Sequence, residues 1–496
     1  MTGAHGVDVL LGHALFMALD PKQVEKMRPY PPLGTLYAAA VLRERGYRVA
    51  LFDAMLAAGE ADFAAALERE RPRVVVLYED SFNFLSKMCL ERMRRAALAM
   101  TGMARERGVP VLVAGSDATD EPGAYLAAGA SAVLLGEGDW TVADALDALR
   151  PTAPAGALES VAGLALAAPG GGVRRTAGRP PERDPDRFPW PARDLVDLEA
   201  YRGLWEGAHG LFSLNMVATR GCPFHCNWCA KPIWGQRYAM RSAADVAAEM
   251  ADLKRRMRPD HVWFADDIFG LRPEWTAELG REVEARGAQI PFQIQSRVDL
   301  LTPSAVEGLA RAGCVEVWMG VESGSQRVLD AMEKGIRVEQ VPEAVARLRA
   351  HGIRACFFLQ FGYPGETWAD IEATAGLVRA LLPDEIGISV SYPLPGTRFH
   401  DLVAAQLGAK RHWTDSEDLA MIFEGTFTTE LYRALHRTLH HELEVRREGD
   451  VQAIAGLEGD WRALRRLAEE SRSAAPTRLG VEAPRRPAPD LTQSAN

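Results

Sequence analysis

The chain has 496 residues, 47% of them hydrophobic and 25% charged, which is ordinary globular composition and too long for a single hydrophobic core. Its 57 Lys and Arg are outnumbered by 67 Asp and Glu, a net charge of −10, which argues against a general nucleic-acid binder. Six cysteines are too few and too unevenly placed for a secreted disulfide framework.

The chain opens Met1-Thr2-Gly3-Ala4-His5-Gly6, with no basic stretch leading into an apolar one. No later run approaches the ~20 apolar residues of a membrane helix. The expectation is a cytoplasmic protein without a membrane span. Over residues 1–150 strands alternate with helices: strands at 7–11, 47–53, 74–78, 109–114 and 132–135, helices at 34–45, 85–107 and 141–149. That alternation predicts a doubly wound parallel sheet of Rossmann-like type, with ligands at the carboxyl ends of its strands. Residues 151–204 change character. Pro151, Pro154, the run Gly170-Gly171-Gly172 and Pro180-Pro181 mark a linker, with a short strand near 161–167.

From 205 to 400 the alternation resumes, with strands at 214–219, 261–265, 292–296, 315–321, 355–361 and 386–390. Six strands separated by helices predict a partial (β/α)6 barrel. Residues 401–473 read as a helical C-terminal region, and 474–496, rich in Pro, Arg, Ala and Ser, as a disordered tail.

Three cysteines lie within eight residues, in Cys222-Pro223-Phe224-His225-Cys226-Asn227-Trp228-Cys229. Soft thiolates on one loop favour an iron–sulfur cluster or zinc. In a cubane each thiolate takes a different iron and the fourth iron lacks a protein ligand. Structural zinc wants four closed ligands, and His225 would have to fold back between two of the cysteines to supply the fourth. Cys89, Cys314 and Cys356 sit in apolar or helical contexts and read as packing residues.

The C-x3-C-x2-C spacing, with Trp228 before the last cysteine, resembles the radical S-adenosylmethionine superfamily. The resemblance implies a [4Fe-4S] cluster on Cys222, Cys226 and Cys229, whose unique iron chelates S-adenosylmethionine. Reductive cleavage then gives methionine and a 5′-deoxyadenosyl radical, with the electron from a reductant such as flavodoxin or ferredoxin. Later strand ends carry the matching pieces in order: Asp266-Asp267, then Arg297, then Glu322-Ser323, then the turn Gly362-Tyr363-Pro364-Gly365-Glu366 preceded by Gln360. By the resemblance Asp266 and Asp267 meet the cofactor's amino group and Arg297 its carboxylate. Glu322 and Ser323 meet the ribose; Trp228, Gln360, Gly362, Gly365 and Glu366 complete the pocket.

A parallel α/β domain ahead of such a barrel resembles the cobalamin-binding branch of the superfamily, including the anaerobic magnesium-protoporphyrin ester cyclase and methyltransferase group. The pieces that carry this are Pro31-Pro32-Leu33-Gly34, Gly115-Ser116 and Gly136-Glu137-Gly138. The resemblance implies cobalamin at 1–150, near Gly34, Gly115, Ser116, Gly136 and Glu137. The D-x-H-x-x-G pattern that supplies a histidine beneath the cobalt is missing, the region reading Gly12-His13-Ala14-Leu15-Phe16. The implied function is C-methylation of an unactivated carbon on a small-molecule or lipid-like substrate. The alternatives are a radical cyclase or other carbon-skeleton enzyme and, of another class, a non-catalytic cobalamin or metal sensor. His436 and His440, one helical turn apart, read as a solvated or interfacial face, with a metal site the alternative.

Overall fold

The computed structural model describes residues 6–88, 90–230 and 233–471, so Cys89 and the tail expected at 474–496 lie outside the described residues. Seven strands form the first sheet: β1 (Val9–Gly12), β2 (Val49–Phe52), β3 (Val74–Tyr78), β4 (Val111–Ala114), β5 (Ala132–Leu134), β6 (Leu164–Ala167) and β7 (Val173–Arg175). Their spatial order is β2-β1-β3-β4-β5-β6-β7. The first five are parallel, while β6 and β7 join antiparallel. The segment read as linker thus completes the edge of the sheet. The order reverses between β1 and β3, which makes the crevice above their carboxyl ends the binding position of this topology. Val74–Val76 and Leu112–Val113 are essentially inaccessible because helices cover both faces.

The second sheet contains β8 (Ser213–Met216), β11 (His261–Phe264), β12 (Phe292–Ser296), β13 (Cys314–Glu322), β14 (Arg354–Phe361) and β15 (Glu385–Val390). Its order is β15-β14-β13-β12-β11-β8, parallel throughout. It is the expected partial barrel, a curled half-barrel with helices on its outer face. The helix Leu33–Glu44 is buried from Leu33 to Leu42. It is apolar all round because it is shared: Leu36 belongs to the core of the second sheet and Ala38 to that of the first.

Three expected elements differ. The strand read at 214–219 stops at Met216; Asp266 captures the Ala218 amide at 3.1 Å, and β9 (Thr219–Gly221) turns away to pair antiparallel with β10 (Tyr238–Met240). The helix read at 85–107 is two, Phe84–Lys87 and Glu91–Glu106. The amides of Glu91 and Arg92 donate to the carbonyls of Trp413 and Thr414 instead of to a preceding turn. In the C-terminal region the helices Arg398–Val403, Thr429–Glu448 and Val451–Glu470 are separated by largely non-helical chain between 407 and 428. Leu431, Leu435 and Leu439 anchor the long helix to the half-barrel core.

Candidate functional site

The cysteine loop leaves the β9–β10 hairpin. Gly221 has a left-handed φ of +78°, and a Cβ there would fall 2.4 Å from the Arg237 carbonyl oxygen, so only glycine lets the chain turn into Cys222. Cys222, Cys226 and Cys229 are in no disulfide and are partly exposed. Asn227 pins the loop, its amide donating to the Met332 carbonyl at 3.1 Å and its side chain to the Ala331 carbonyl at 2.8 Å. Among the described residues no three His, Cys, Asp or Glu side chains converge on one point as a single-ion site would require. A cubane spreads its thiolates over separate irons and asks for a wider arrangement. His225 is exposed.

Two cations back the loop. Arg297, buried, stacks its guanidinium 3.8 Å over the Phe224 ring, donates to the Lys334 carbonyl at 2.8 Å and points at Cys226 Sγ from 3.9 Å. It also grips Asp299 at 2.9 Å. Lys334, buried, pairs with Glu322 at 2.6 Å. Burial, the largest single influence, opposes its charge, but Glu322 and Cys226 together outweigh it, so the ammonium is held above its ordinary range. Glu322 sits on a register shift of β13 with φ +61°, a left-handed backbone that costs about 1–2 kcal/mol in a non-glycine residue. Positive charge beside three thiolates suits an anionic cluster and the carboxylate of an amino acid.

The other strand-end residues divide between open and committed. Asp266 is buried beneath the turn. Its carboxylate accepts from Ala218 and Thr219, and burial raises it to about 7. Asp267 lies at the surface and pairs with Lys87, which reaches over from the first domain. Ser323 Oγ lies 3.2 Å from Thr374 Oγ1, and Gln360 donates to Ser391 at 2.9 Å. Glu366 accepts from the Gly362 amide at 2.8 Å and from Tyr432 at 3.2 Å, while its other oxygen is buried without a partner. Burial pushes it up to about 8. Gly365 accepts at its carbonyl from Arg327. Trp228 packs beside Tyr363 and Phe399 and leaves its indole Nε1 buried and unpartnered.

At the carboxyl ends of the first sheet, Glu79 is buried. It takes the Ala14 amide on Oε1 at 2.9 Å, and Oε2 has no partner. Ser86 and Ser116 likewise hold buried hydroxyls without partners; their helices Phe84–Lys87 and Ser116–Asp120 touch. Three orphaned polar atoms at one sheet end are costly unless a ligand satisfies them, and this is the crevice the topology selects. A Cβ at Gly115 would lie 2.7 Å from Glu79 Cβ, so that glycine admits Glu79. Gly34 is tied down, its amide donating to Asp80 at 2.9 Å. His13 is buried with Nε2 3.2 Å from Asp53 Oδ1, so its ring is held by β2's end.

Gly136 and Glu137 face the cysteine loop. A Cβ on Gly136 would lie 3.1 Å from the Ile233 carbonyl oxygen. Glu137 receives Arg220 at 2.6 Å, Trp234 Nε1 at 3.1 Å and the Glu182 amide at 2.6 Å. Arg220, two residues before Cys222, also meets Asp139 at 2.9 Å and lies 3.8 Å over Phe188. This charge cluster joins the two sheets. Sequence reasoning missed Arg220, Lys334 and Tyr432, whose roles depend on partners 81, 12 and 66 residues away. His436 and His440 have ring centroids 4.5 Å apart. Burial, with Lys22 and Lys26 nearby, lowers both to about 4, which makes them a neutral interfacial pair.

Comparison with known proteins agrees with this geometry. The family model for the Radical SAM superfamily matches residues 216–378, and that for the B12 binding domain matches residues 28–146. A methyltransferase of uncharacterised reaction from Pyrococcus horikoshii is 26% identical over 379 residues, covering 76% of this chain and 79% of its own. The anaerobic magnesium-protoporphyrin IX monomethyl ester cyclase of Rubrivivax gelatinosus is 28% identical over 288 residues, 58% of this chain and 50% of the cyclase. Among solved structures, the radical S-adenosylmethionine methyltransferase TsrM from Kitasatospora setae shares the fold at a TM-score of 0.66 and 19% identity, covering 81% of this chain and 77% of TsrM. A radical SAM domain takes a [4Fe-4S] cluster and S-adenosylmethionine, and a B12-binding domain takes cobalamin.

Proposed function

The chain belongs to the cobalamin-binding radical S-adenosylmethionine family, and we propose that it is a methyltransferase acting on an unactivated carbon. The observation that carries the proposal is the meeting of two cofactor-bearing ends. The carboxyl ends of the first sheet and the cysteine loop are locked together by Arg220, Glu137 and Asp139. A group held above the first sheet therefore faces the space above the half-barrel. The relatives named as methyltransferases support the choice of reaction.

When bound, the cluster supplies one electron to S-adenosylmethionine, and cobalamin carries the methyl group. The chain's own residues do the rest. Cys222, Cys226 and Cys229 ligate the cluster. Arg297 and Lys334 supply positive charge for the cluster sulfurs and for the cofactor's carboxylate; Glu322 and Ser323 present acceptors for ribose hydroxyls. Gln360, Gly362, Gly365 and Glu366 shape the turn that receives the adenine, and Trp228 shields the loop from water. Asp266 holds the β8 turn in place, and Asp267 ties it to Lys87. Above the first sheet Glu79, Ser86 and Ser116 offer the unsatisfied polar atoms to cobalamin, with Gly115 keeping the approach open. A small-molecule or lipid-like substrate enters between the domains, and a flavodoxin- or ferredoxin-type protein delivers the electron. The protein works in the cytoplasm.

Anaerobic purification with cobalamin supplied, followed by iron and cobalt counts, tests the cofactor set: about four irons and one cobalamin per chain are expected. Incubation with S-adenosylmethionine bearing a trideuterated methyl group then tests the reaction. A product heavier by one labelled methyl, with 5′-deoxyadenosine and S-adenosylhomocysteine as co-products, is expected. A product formed with 5′-deoxyadenosine but no label replaces methyl transfer with cyclisation or another carbon-skeleton reaction, and cobalamin and cluster without cleavage make the protein a sensor.

A further inference from the structure

The half-barrel has an interior of its own, set by strand alternation. On β12 the side chains of Phe292, Ile294 and Ser296 are buried under the outer helices, while Gln293 and Gln295 are partly open. On β13 Val317, Met319 and Val321 are buried and Trp318 and Gly320 open. On β11 it is Trp263, on β14 Phe358, and on β15 Gly387 and Ser389. These positions share one face by register, with Trp263 beside Gln293, Gln295 beside Trp318, Gly320 beside Phe358, and Phe358 beside Gly387. That face is the lumen, and its side chains are partly accessible.

Its lining is specific. Trp318 and Phe358 stack at 4.8 Å between centroids and 27° between planes. A Cβ on Gly387 would lie 3.1 Å from Phe358 and 3.2 Å from Trp318, so the absent side chain leaves room for the two rings. The roof is the Lys334–Glu322 pair, since a Cβ on Gly320 would meet Lys334 Nζ at 2.6 Å and Glu322 Oε1 at 2.8 Å. Tyr30 packs against Trp263, the rings tilted by 48° with centroids 4.9 Å apart. Carboxylates at the two ends are held in ion pairs, Glu322 with Lys334 and Glu316 with Arg354. The side-chain amides of Gln293 and Gln295 have no hydrogen-bond partner among the described residues.

A solvent-facing aromatic pair gains most from a flat ring. Free amides select donors and acceptors on that ring's edge, and a lumen whose buried carboxylates already have their cations penalises the desolvation of an ionic guest. We infer that the substrate enters the half-barrel as a flat, uncharged ring bearing an amide- or hydroxyl-type edge, stacked on Trp318 and Phe358 and hydrogen-bonded by Gln293 and Gln295. The inference rests on the half-barrel being the reaction chamber of the enzyme proposed above.

Three probes of similar size separate the features: benzamide is flat and neutral, benzoate flat and anionic, and cyclohexanecarboxamide neutral but not flat. Equilibrium dialysis against the reconstituted holoenzyme with S-adenosylmethionine, unreduced, should show benzamide bound at least tenfold more tightly than either other probe. Trp318→Leu and Phe358→Leu should each weaken benzamide about tenfold while iron and cobalt contents hold, and Trp318→Phe should retain most of the affinity. Where a leucine variant does not fold, Gly387→Ala, which crowds the same rings, replaces it. Equal binding of cyclohexanecarboxamide or benzoate overturns the inference, as does unchanged benzamide affinity in folded variants. The enzyme reading fails separately: dithionite-reduced holoenzyme that releases no 5′-deoxyadenosine overturns that reading whichever probe binds.

Discussion

Replacing Arg220 by methionine keeps most of the side chain's stem and removes its charge. Arg220 reaches Glu137 at 2.6 Å and Asp139 at 2.9 Å, and the three side chains are only 4%, 5% and 6% exposed. The variant leaves two carboxylates buried side by side with no cation, a change that costs about 3–5 kcal/mol in comparable buried pairs. Burial and Asp139 already raise Glu137 against the pull of Arg220, so without the arginine one carboxyl takes up a proton. A carboxyl whose folded pKa lies above its unfolded value stabilises the fold at low pH and loses that contribution as pH rises. The deficit of Arg220→Met is therefore smallest near pH 5 and grows toward pH 8. Adding Glu137→Gln should recover part of it, because the amide keeps an oxygen for Trp234 or the Glu182 amide and carries no charge. Urea unfolding followed by tryptophan emission is the assay, since Trp234 touches Glu137 and guanidinium salt would screen the interaction. A deficit below about 1 kcal/mol at pH 8, or one that does not change with pH, would refute the view that this cluster holds the two sheets together.

Three further outcomes follow from the same geometry. Alanine at Cys222, Cys226 or Cys229 should abolish the visible absorbance of the reconstituted cluster and 5′-deoxyadenosine formation while cobalamin still binds; an intact cluster in any one of them removes that cysteine from the ligand set. Arg297→Gln withdraws the cation 3.9 Å from Cys226 Sγ and should lower the cluster's reduction potential in spectroelectrochemical titration, and an unchanged potential would assign Arg297 to the Lys334 carbonyl and Asp299 alone. Glu366, pushed up to about 8 by burial, contributes stability that falls away between its unfolded pKa and pH 8. Glu366→Gln should therefore flatten the decline of the wild-type melting temperature over pH 5 to 8, and parallel curves for the two proteins would show that the group does not titrate there.

The architecture was legible because its periodicities are local. Val74–Tyr78 and Phe292–Ser296 were bounded to the residue by apolar runs between turn signals. The failures occurred where a distant partner decided. Met216 ends its strand because Asp266, from the next strand's end, takes the Ala218 amide, and nothing near Met216 announces that. The helix at 84–106 breaks because residues 413 and 414 supply its acceptors. Site residues follow the same division. The cysteines and the strand-end carboxylates stand in short motifs. Glu137 reads in sequence as one residue of a Gly-rich loop, and only the fold shows it spent on Arg220.

That expenditure bears on how the two halves act together. Arg220 is two residues from Cys222, and its acceptors lie in the loop after β5 and at the first residue of the helix Asp139–Ala148, so the position of the first cysteine depends on the first domain being folded and docked. Lys87 to Asp267 repeats the arrangement at the next strand end, and Gly136 against the Ile233 carbonyl adds a contact with no room for a side chain. A charged interface of this kind gains little net stability over an apolar one, yet breaking one partner is expensive; its effect is to fix one relative placement of the sheets. Cobalamin binding, which stabilises only the folded first domain, should then also protect the cysteine loop. The check is hydrogen exchange at residues 219–230 of the wild-type chain with and without cobalamin, before any iron is added. Protection that rises with cobalamin in the wild type and not in Arg220→Met would show the coupling runs through this cluster, and equal protection in both would place it elsewhere in the interface.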